Sequence, residues 1–282
     1  MPTFARLKSV LKKTFAYSFY ANPSRVSRME LLKLFFLKEF VNTCQVRNTN
    51  IKIGVSSVLE IFRCETYEAK EPETLDWIDQ FQKGEILFDI GGNIGVYTLY
   101  AGKKGCKVFT FEPESQNFSR LVNNISLNEL TEVRPYCIGL GDKNELTVLH
   151  LTSLQAGDSQ HQVGKTTDVF DRKFETIKQG CVVFSLDDLC LKYGLPLPHH
   201  IKIDVDGLEP QIIKGAEKVL RSQNVKTVLI EINKEINKSS QDIFDIQKFI
   251  ESLGYSLAVT SKREFRTDKL TARNYIFKKG SI

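Results

Sequence analysis

The chain holds 282 residues, with 39 Lys+Arg against 34 Asp+Glu and a formal net charge of +5. Hydrophobic residues make up 41% and charged residues 26%, which excludes a disordered chain, a collagen and a disulfide-dense miniprotein. The excess charge is local: residues 1–41 carry eight Lys+Arg and two acids, so the remainder is close to neutral. This is a near-neutral globule with a basic arm.

Residues 1–45 read as that arm, basic and helical, with Leu32, Phe35, Phe36 and Phe40 at helical spacing within Met29–Val41. No run approaches the ~20 apolar residues of a membrane-spanning helix, and Leu31–Val41 is broken by Lys33, Lys38 and Glu39. Lys12 and Lys13 precede a short apolar stretch, but no Ala-x-Ala cleavage site follows. The cysteines form no Cys-x-x-Cys pair and fit no zinc spacing. Reduced thiols and a cytoplasmic location suit that pattern.

Residues 42–50 lose the helical pattern and read as a linker, and 46–282 read as one domain. Its first part, 51–84, is expected to hold a β-hairpin, in which Ile51–Val55 pairs with Val58–Phe62, and a helix from Pro72 with Leu75 and Ile78 facing inward. From 85 to 282 the pattern is Rossmann-like. Strands at 86–90, 107–111, 133–138, 201–205 and 227–232 alternate with helical stretches, and 255–259 and 274–278 can pair antiparallel. Such alternation predicts an α/β fold, a doubly wound and mostly parallel sheet with helices on both faces. Ligands bind such sheets at the carboxyl ends of the strands. The polar, unperiodic insertion 152–180 is long enough to be functional.

Phe88-Asp89-Ile90-Gly91-Gly92-Asn93-Ile94-Gly95 follows an apolar strand and opens a helix. A dinucleotide loop would need G-x-G-x-x-G, but Asn93 and Val96 stand where the second and third glycines belong. A pyrophosphate at a helix N-terminus is also poorly served by an acid at the strand tip. Asp89 instead suits a cationic amino group, such as the ammonium of S-adenosylmethionine. Glu112, ending the second strand about twenty residues on, can accept ribose hydroxyls or cap the helix that begins near Pro113. In Ile201-Lys202-Ile203-Asp204-Val205-Asp206, alternation puts Lys202, Asp204 and Asp206 on one side of the strand. Either a Lys202–Asp204 ion pair or direct catalysis accounts for charges there. Glu231 ends the next strand and can reach the same cleft. His199 and His200 lie at the other end of their strand and read as surface or loop residues.

These motifs, with Phe111-Glu112-Pro113, Ser185-Leu186-Asp187, Gly207-Leu208-Glu209 and Ile213-Lys214-Gly215-Ala216, resemble the FkbM-type methyltransferases over roughly residues 55–278. The basic arm lies outside the resemblance. The family implies a class I methyltransferase-like fold, with a seven-stranded, mostly parallel sheet and one antiparallel strand. It also implies S-adenosylmethionine as cofactor and O-methylation of a sugar or natural-product hydroxyl. By the same resemblance Asp89, Gly91, Asn93 and Gly95 shape the amino-acid end of the cofactor site, Glu112 binds the ribose, and Asp142 lies near the adenine.

Asp204 is the first choice as general base and Glu231 the second, with Asp206 and Glu209 available to orient the acceptor or cap a helix. An Asp204–Glu231 pair could hold Mg²⁺, but no complete ligand set is visible, so no metal is assigned. The expected partner is a small-molecule or glycan acceptor, with no nucleic acid; residues 1–41 are candidates for peripheral membrane contact, and the sequence does not indicate an oligomeric state. Two alternatives stay open: a nicotinamide-dependent oxidoreductase on a related fold, and a non-catalytic nucleoside- or cofactor-binding module.

Overall fold

Short apolar strands, each ended by a turn, set the frame of this chain. The computed structural model describes residues 40–151, 153–158, 162–163, 177–205, 207–235, 241–261, 265–266 and 270–280. Residues 1–39 of the proposed arm, with its proposed membrane contact, and Asp206 lie outside them; Phe40 and Val41, expected to end the arm helix, begin a strand instead. No described helix is long and apolar enough to cross a membrane.

β1 (Phe40–Val46) and β2 (Thr49–Val55) pair as a two-stranded sheet. The stretch 42–50 is therefore not a linker. Cys44 and Val46 are buried while Thr43 and Gln45 are exposed, a period-two signal that small and polar side chains conceal. Val58–Phe62 is not the second strand of a hairpin either; it opens helix α1 (Val58–Lys70). The reason is a capping box. Ser57 Oγ accepts from Glu60 N at 3.1 Å, and Glu60 Oε2 accepts from Ser57 N at 2.9 Å. Glu60, fully buried, also pairs with Arg120. Helix α2 (Pro72–Ile78) follows, with Leu75 and Ile78 inward as expected.

The central sheet is built from β3 (Ile86–Ile90), β4 (Lys107–Phe111), β5 (Val133–Tyr136), β10 (His200–Ile203), β11 (Thr227–Glu235), β12 (Tyr255–Thr260) and β14 (Leu270–Lys279). Its order is β12-β14-β11-β10-β3-β4-β5, and β13 (Phe265–Arg266) pairs with β14. β14 runs antiparallel to both β11 and β12, and the remaining pairs from β11 to β5 are parallel. Helices α3 (Val96–Lys103) and α4 (Ser115–Leu127) follow β3 and β4. Helices α5 (Leu186–Leu191), α6 (Glu209–Lys214), α7 (Glu217–Arg221) and α8 (Gln241–Ser252) complete the set. This is the doubly wound, class I methyltransferase-like sheet expected. The helical stretch after β10 is two short helices, α6 and α7, separated at Gly215–Ala216.

Part of the insertion is ordered. A side sheet of order β6-β9-β7-β8 joins β6 (Gly139–Leu140), β7 (Glu145–Leu151), β8 (Gln162–Val163) and β9 (Ile177–Phe184). Alternation divides the core into two layers. Phe88, Ile90, Phe109, Ile201, Ile203 and Ile230 face α6, α7 and α8, whereas Leu87, Val108 and Leu229 face α2, α3 and β2. The described cysteines are all free, and Cys44, Cys106, Cys181 and Cys190 are buried, as expected of reduced thiols.

Replacing Glu60 with Ala removes the side-chain half of the α1 capping box and the partner of a buried arginine. A loss on the order of 3 kcal/mol is expected in urea denaturation; a change within 0.5 kcal/mol, the usual range for surface sites, would contradict the assigned tie.

Candidate active site

The strand order reverses between β3 and β10, and a cleft opens there at the carboxyl ends of the strands. Its cavity, about 180 Å³, is lined by Gly91, Asn93, Glu112, Asp204 and Glu231, among others. Gly91 makes the close approach possible. Its φ is +85°, and a Cβ there would lie 2.0 Å from the Asp204 carbonyl oxygen. Gly95 does not line the cavity; with φ +97° it caps α3, and a Cβ would meet Leu121 at 2.6 Å.

Register sets the charges. Lys202 of β10 stands beside Asp89 of β3, and both side chains are 1% exposed. Lys202 Nζ lies 2.6 Å from Asp204 Oδ2 and 4.8 Å from the Tyr97 ring centroid. The ion pair read from the sequence is present. Burial opposes the Lys202 charge, but Asp204, Asp89 and Glu71 hold its pKa above the usual lysine range. Burial likewise works against the Asp204 charge, yet Lys202 and Lys70 hold that carboxyl below its ordinary value. Glu231 shifts the other way: loss of solvent, then Asp204 and Glu71, push it well above the carboxylate range.

Asp89 Oδ2 accepts from Thr98 Oγ1 at 2.5 Å, whereas Oδ1 is buried without a hydrogen-bond partner. Burial raises the Asp89 pKa against the opposing pull of Lys202 and Thr98. Glu112 accepts from Asn93 N at 2.8 Å on one oxygen and from Glu114 N at 2.9 Å on the other. Burial pushes it up to about 7 against those bonds. Glu112 is not the cap of α4. That cap is Glu114, which accepts from Gln116 N and Asn117 N.

Other expectations are corrected. Asp142 is not part of the cavity wall; its carboxylate faces Lys214 at 3.8 Å. Ile138, Gly139 and Leu140 take that stretch of wall. Glu209 is buried and accepts from Gly207 N at 3.3 Å. His200 is not a surface residue: it is 5% exposed, stacks on Phe81 and bonds Glu85, and burial takes its pKa down to about 4.

The sequence reading missed the contribution of α1 and the residue after it. Arg63 and Lys70 line the cleft. Glu71, Asp204 and Glu231 each offer an oxygen, all within 4.8 Å of one another, a set that could share a proton or hold a cation. Glu71 also bonds Thr74 and Asn274 and lies 3.1 Å from Lys70. The signal available was the spacing 63, 66, 67 and 70, one polar helical face. From the insertion, the Asp158 carbonyl accepts from Asn93 Nδ2 at 2.7 Å, and Asp158 lines the cavity.

The Methyltransferase FkbM domain model matches residues 89–257, more than half of the chain. The chain belongs to the FkbM methyltransferase family. Hexuronic acid methyltransferase AglP of Haloferax volcanii is 27% identical over 209 residues, 74% of this chain and 79% of that protein. Methyltransferase 1 of Beauveria bassiana is 26% identical over 192 residues, 64% of this chain and 75% of its own. The solved structure of M. jannaschii TYW2 in complex with AdoMet shares 14% identity at a TM-score of 0.43, covering 86% of this chain and 88% of that one. In this FkbM protein three residues singled out from the sequence, Asp89, Glu112 and Asp204, all line the cleft.

Lys202→Met should destabilise the protein by about 3 kcal/mol at pH 8, because the buried Asp89 and the half-buried Asp204 lose their cation. Lys202 contributes fully below the unfolded lysine pKa, so its loss is felt throughout the neutral range. In the variant Asp89 and Asp204 titrate upward and take up protons as pH falls, so the deficit in urea denaturation should shrink by pH 5. Equal deficits at both pH values would contradict the pairing.

Proposed function

We propose that this FkbM protein binds S-adenosylmethionine in the cleft and methylates a hydroxyl oxygen of a sugar or related small molecule. The observation that carries the reading is Asp89 Oδ1, a buried acceptor without a hydrogen-bond donor on the wall of a cleft that continues to Glu112. Such an orphan costs about 1–3 kcal/mol, and an α-ammonium group supplies the donor it lacks. S-adenosylmethionine, when bound, supplies a methyl group made electrophilic by its sulfonium.

Asp89 would hold the amino group and Glu112 the ribose hydroxyls. Each Glu112 oxygen keeps a lone pair beyond its backbone bond, so the carboxylate is both fixed and able to accept. Gly91 and Asn93 form the floor beside them, and Ile138, Leu140, Leu208 and Ile212 offer an apolar slot for the base. No pyrophosphate is needed to account for these groups.

Asp204 and Glu231, which line the same cavity, would meet the acceptor hydroxyl. Lys202 occupies one oxygen of Asp204 and lowers its basicity, which suits orientation of the acceptor. Glu231, shifted upward, is the stronger base once ionised. This order reverses the one drawn from strand position alone. A sugar acceptor is supported by the name of the Haloferax relative, a hexuronic acid methyltransferase.

Calorimetry with S-adenosylhomocysteine and with NAD tests the cofactor; tight binding of the first and none of the second is expected, and the opposite pattern would overturn the reading. Asp89→Asn should weaken S-adenosylhomocysteine about 10- to 100-fold. Glu231→Gln should lower kcat about 10²- to 10⁴-fold while leaving that affinity within about threefold, a difference below 0.7 kcal/mol. Equal affinity losses in both variants would refute the division of labour. Mass spectrometry of a hexose and hexuronic acid panel identifies the acceptor.

Glu112 gives a pH signature. It is ionised above about 7, and only then do both oxygens accept freely. Affinity for S-adenosylhomocysteine should therefore rise from pH 6 to pH 8 and stay level in Glu112→Gln; a wild-type affinity independent of pH would contradict the ribose role.

A further inference from the structure

The cofactor's amino-acid end is a zwitterion, and the motif residues account for only half of it. Asp89 answers the ammonium. The α-carboxylate, attached to the same carbon, needs a donor set facing the same small volume. The pocket that contains Asp89, Gly91, Gly92 and Asn93 is closed on its far side by Arg63, Thr66, Tyr67 and Lys70. These four residues stand at i, i+3, i+4 and i+7 of α1 and so share one helical face.

Three of the four are already engaged. Thr66 Oγ1 donates to the Phe62 carbonyl at 2.8 Å. Tyr67, buried, donates its hydroxyl to the Val96 carbonyl. Lys70 pairs with Glu71 at 3.1 Å and sends its field toward Asp204 and Glu231. Arg63 is different. Its Nε donates to the Gly157 carbonyl at 2.7 Å, which anchors the guanidinium plane. Among the described residues no acceptor meets its Nη1 or Nη2. Arg63 also lines the larger cavity beside Glu112 and Asp204, and its charge lowers the pKa of both carboxylates. An anchored guanidinium with both outer nitrogens uncommitted matches a carboxylate, because the planar fork presents two parallel N–H donors.

We propose that Arg63 is the carboxylate-binding residue of the cofactor site, pairing through Nη1 and Nη2 with the α-carboxylate while Asp89 holds the α-ammonium. The proposal rests on the S-adenosyl reading of the cleft and extends it to a helix outside the residues 89–257 that the family model matches. It also gives the insertion a task. Gly157 orients Arg63, and the neighbouring Asp158 carbonyl is held by Asn93 and Asn117. The contacts that fasten 157–158 to the cleft wall thus also place the carboxylate donor.

The test is calorimetry on the full chain with two ligands, S-adenosylhomocysteine and its decarboxylated analogue, the 3-aminopropyl thioether of 5′-deoxyadenosine. The two share adenine, ribose, sulfur and amine and differ only in the carboxylate. Wild type should prefer S-adenosylhomocysteine by about 10- to 100-fold, as befits a charge-assisted bidentate pair. Arg63→Gln should bring the two ligands within about threefold, mainly by weakening S-adenosylhomocysteine. Retained affinity for the analogue would show that the variant is folded. Arg63→Lys, which keeps the charge and loses the fork, should keep a reduced preference.

A preference undiminished in Arg63→Gln would overturn the proposal. So would a wild type that does not distinguish the ligands, an outcome that needs no variant and leaves the S-adenosyl reading standing. If wild type binds neither ligand, the S-adenosyl reading itself fails and Arg63 falls with it.

Discussion

A single buried cation, Lys202, holds the carboxyl end of this sheet together. It stands in the register position next to Asp89, bonds Asp204 and lies over Tyr97. Without it, charged carboxylates at the tips of two central strands would face a prohibitive loss of hydration. With it, the buried Asp89 and the half-buried Asp204 can both be retained. The cation also separates the chemistry of the acids. Asp204, in direct contact, stays ionised, and Glu231, farther from it and close to other acids, is driven toward the proton-bound form. One strand residue thus creates two kinds of carboxylate in one cleft, and differing environments of this sort are what assign acid, base and binding roles.

The rest of the structure serves that charge cluster. Gly91 lets the loop after β3 approach the Asp204 backbone. α1 and α2, packed over the layer that contains Leu87 and Leu229, bring Lys70 and Glu71 to the rim. The Glu60 cap and its bond to Arg120 tie the start of α1 to α4, and Arg63 sits one turn further on. The insertion contributes Asp158 to the wall and two carbonyls as fastenings. Elements outside the alternating core therefore complete the site, which is where loop-borne specificity on a fixed scaffold is expected.

The alternating core was legible because its signals are strong. Apolar runs at 86–90, 107–111, 201–203 and 227–232 end in glycines or acids, and the helical stripe of Phe118, Leu121 and Ile125 is regular. Asp89, Glu112 and Asp204 were legible for the same reason, each at or beside a strand end, whereas Glu231, expected to end its strand, lies within β11, which runs on to Glu235. β1 was missed because Cys44 and Val46 alternate with polar residues too weakly apolar to mark a strand. α1 was mistaken for strand at Val58–Phe62 because four of those five residues are apolar, although Ser57 and Glu60 already spelled a capping box. Asp142 was placed by analogy of position, and only the tertiary fold turns it toward Lys214. The buried state of His200 was hidden too, since its partners Glu85, Thr227 and Phe81 are distant in sequence.

In the proposed function one continuous cleft receives an S-adenosyl compound, its amino-acid end at the Lys202 cluster and its nucleoside at Glu112. A crystal structure of the protein with S-adenosylhomocysteine tests this most directly. The ribose hydroxyls are expected on Glu112, the α-amino group on Asp89 Oδ1 and the sulfur facing Asp204 and Glu231. A ligand whose ribose sits away from Glu112, or whose amino group leaves Asp89 Oδ1 unpartnered, would contradict it.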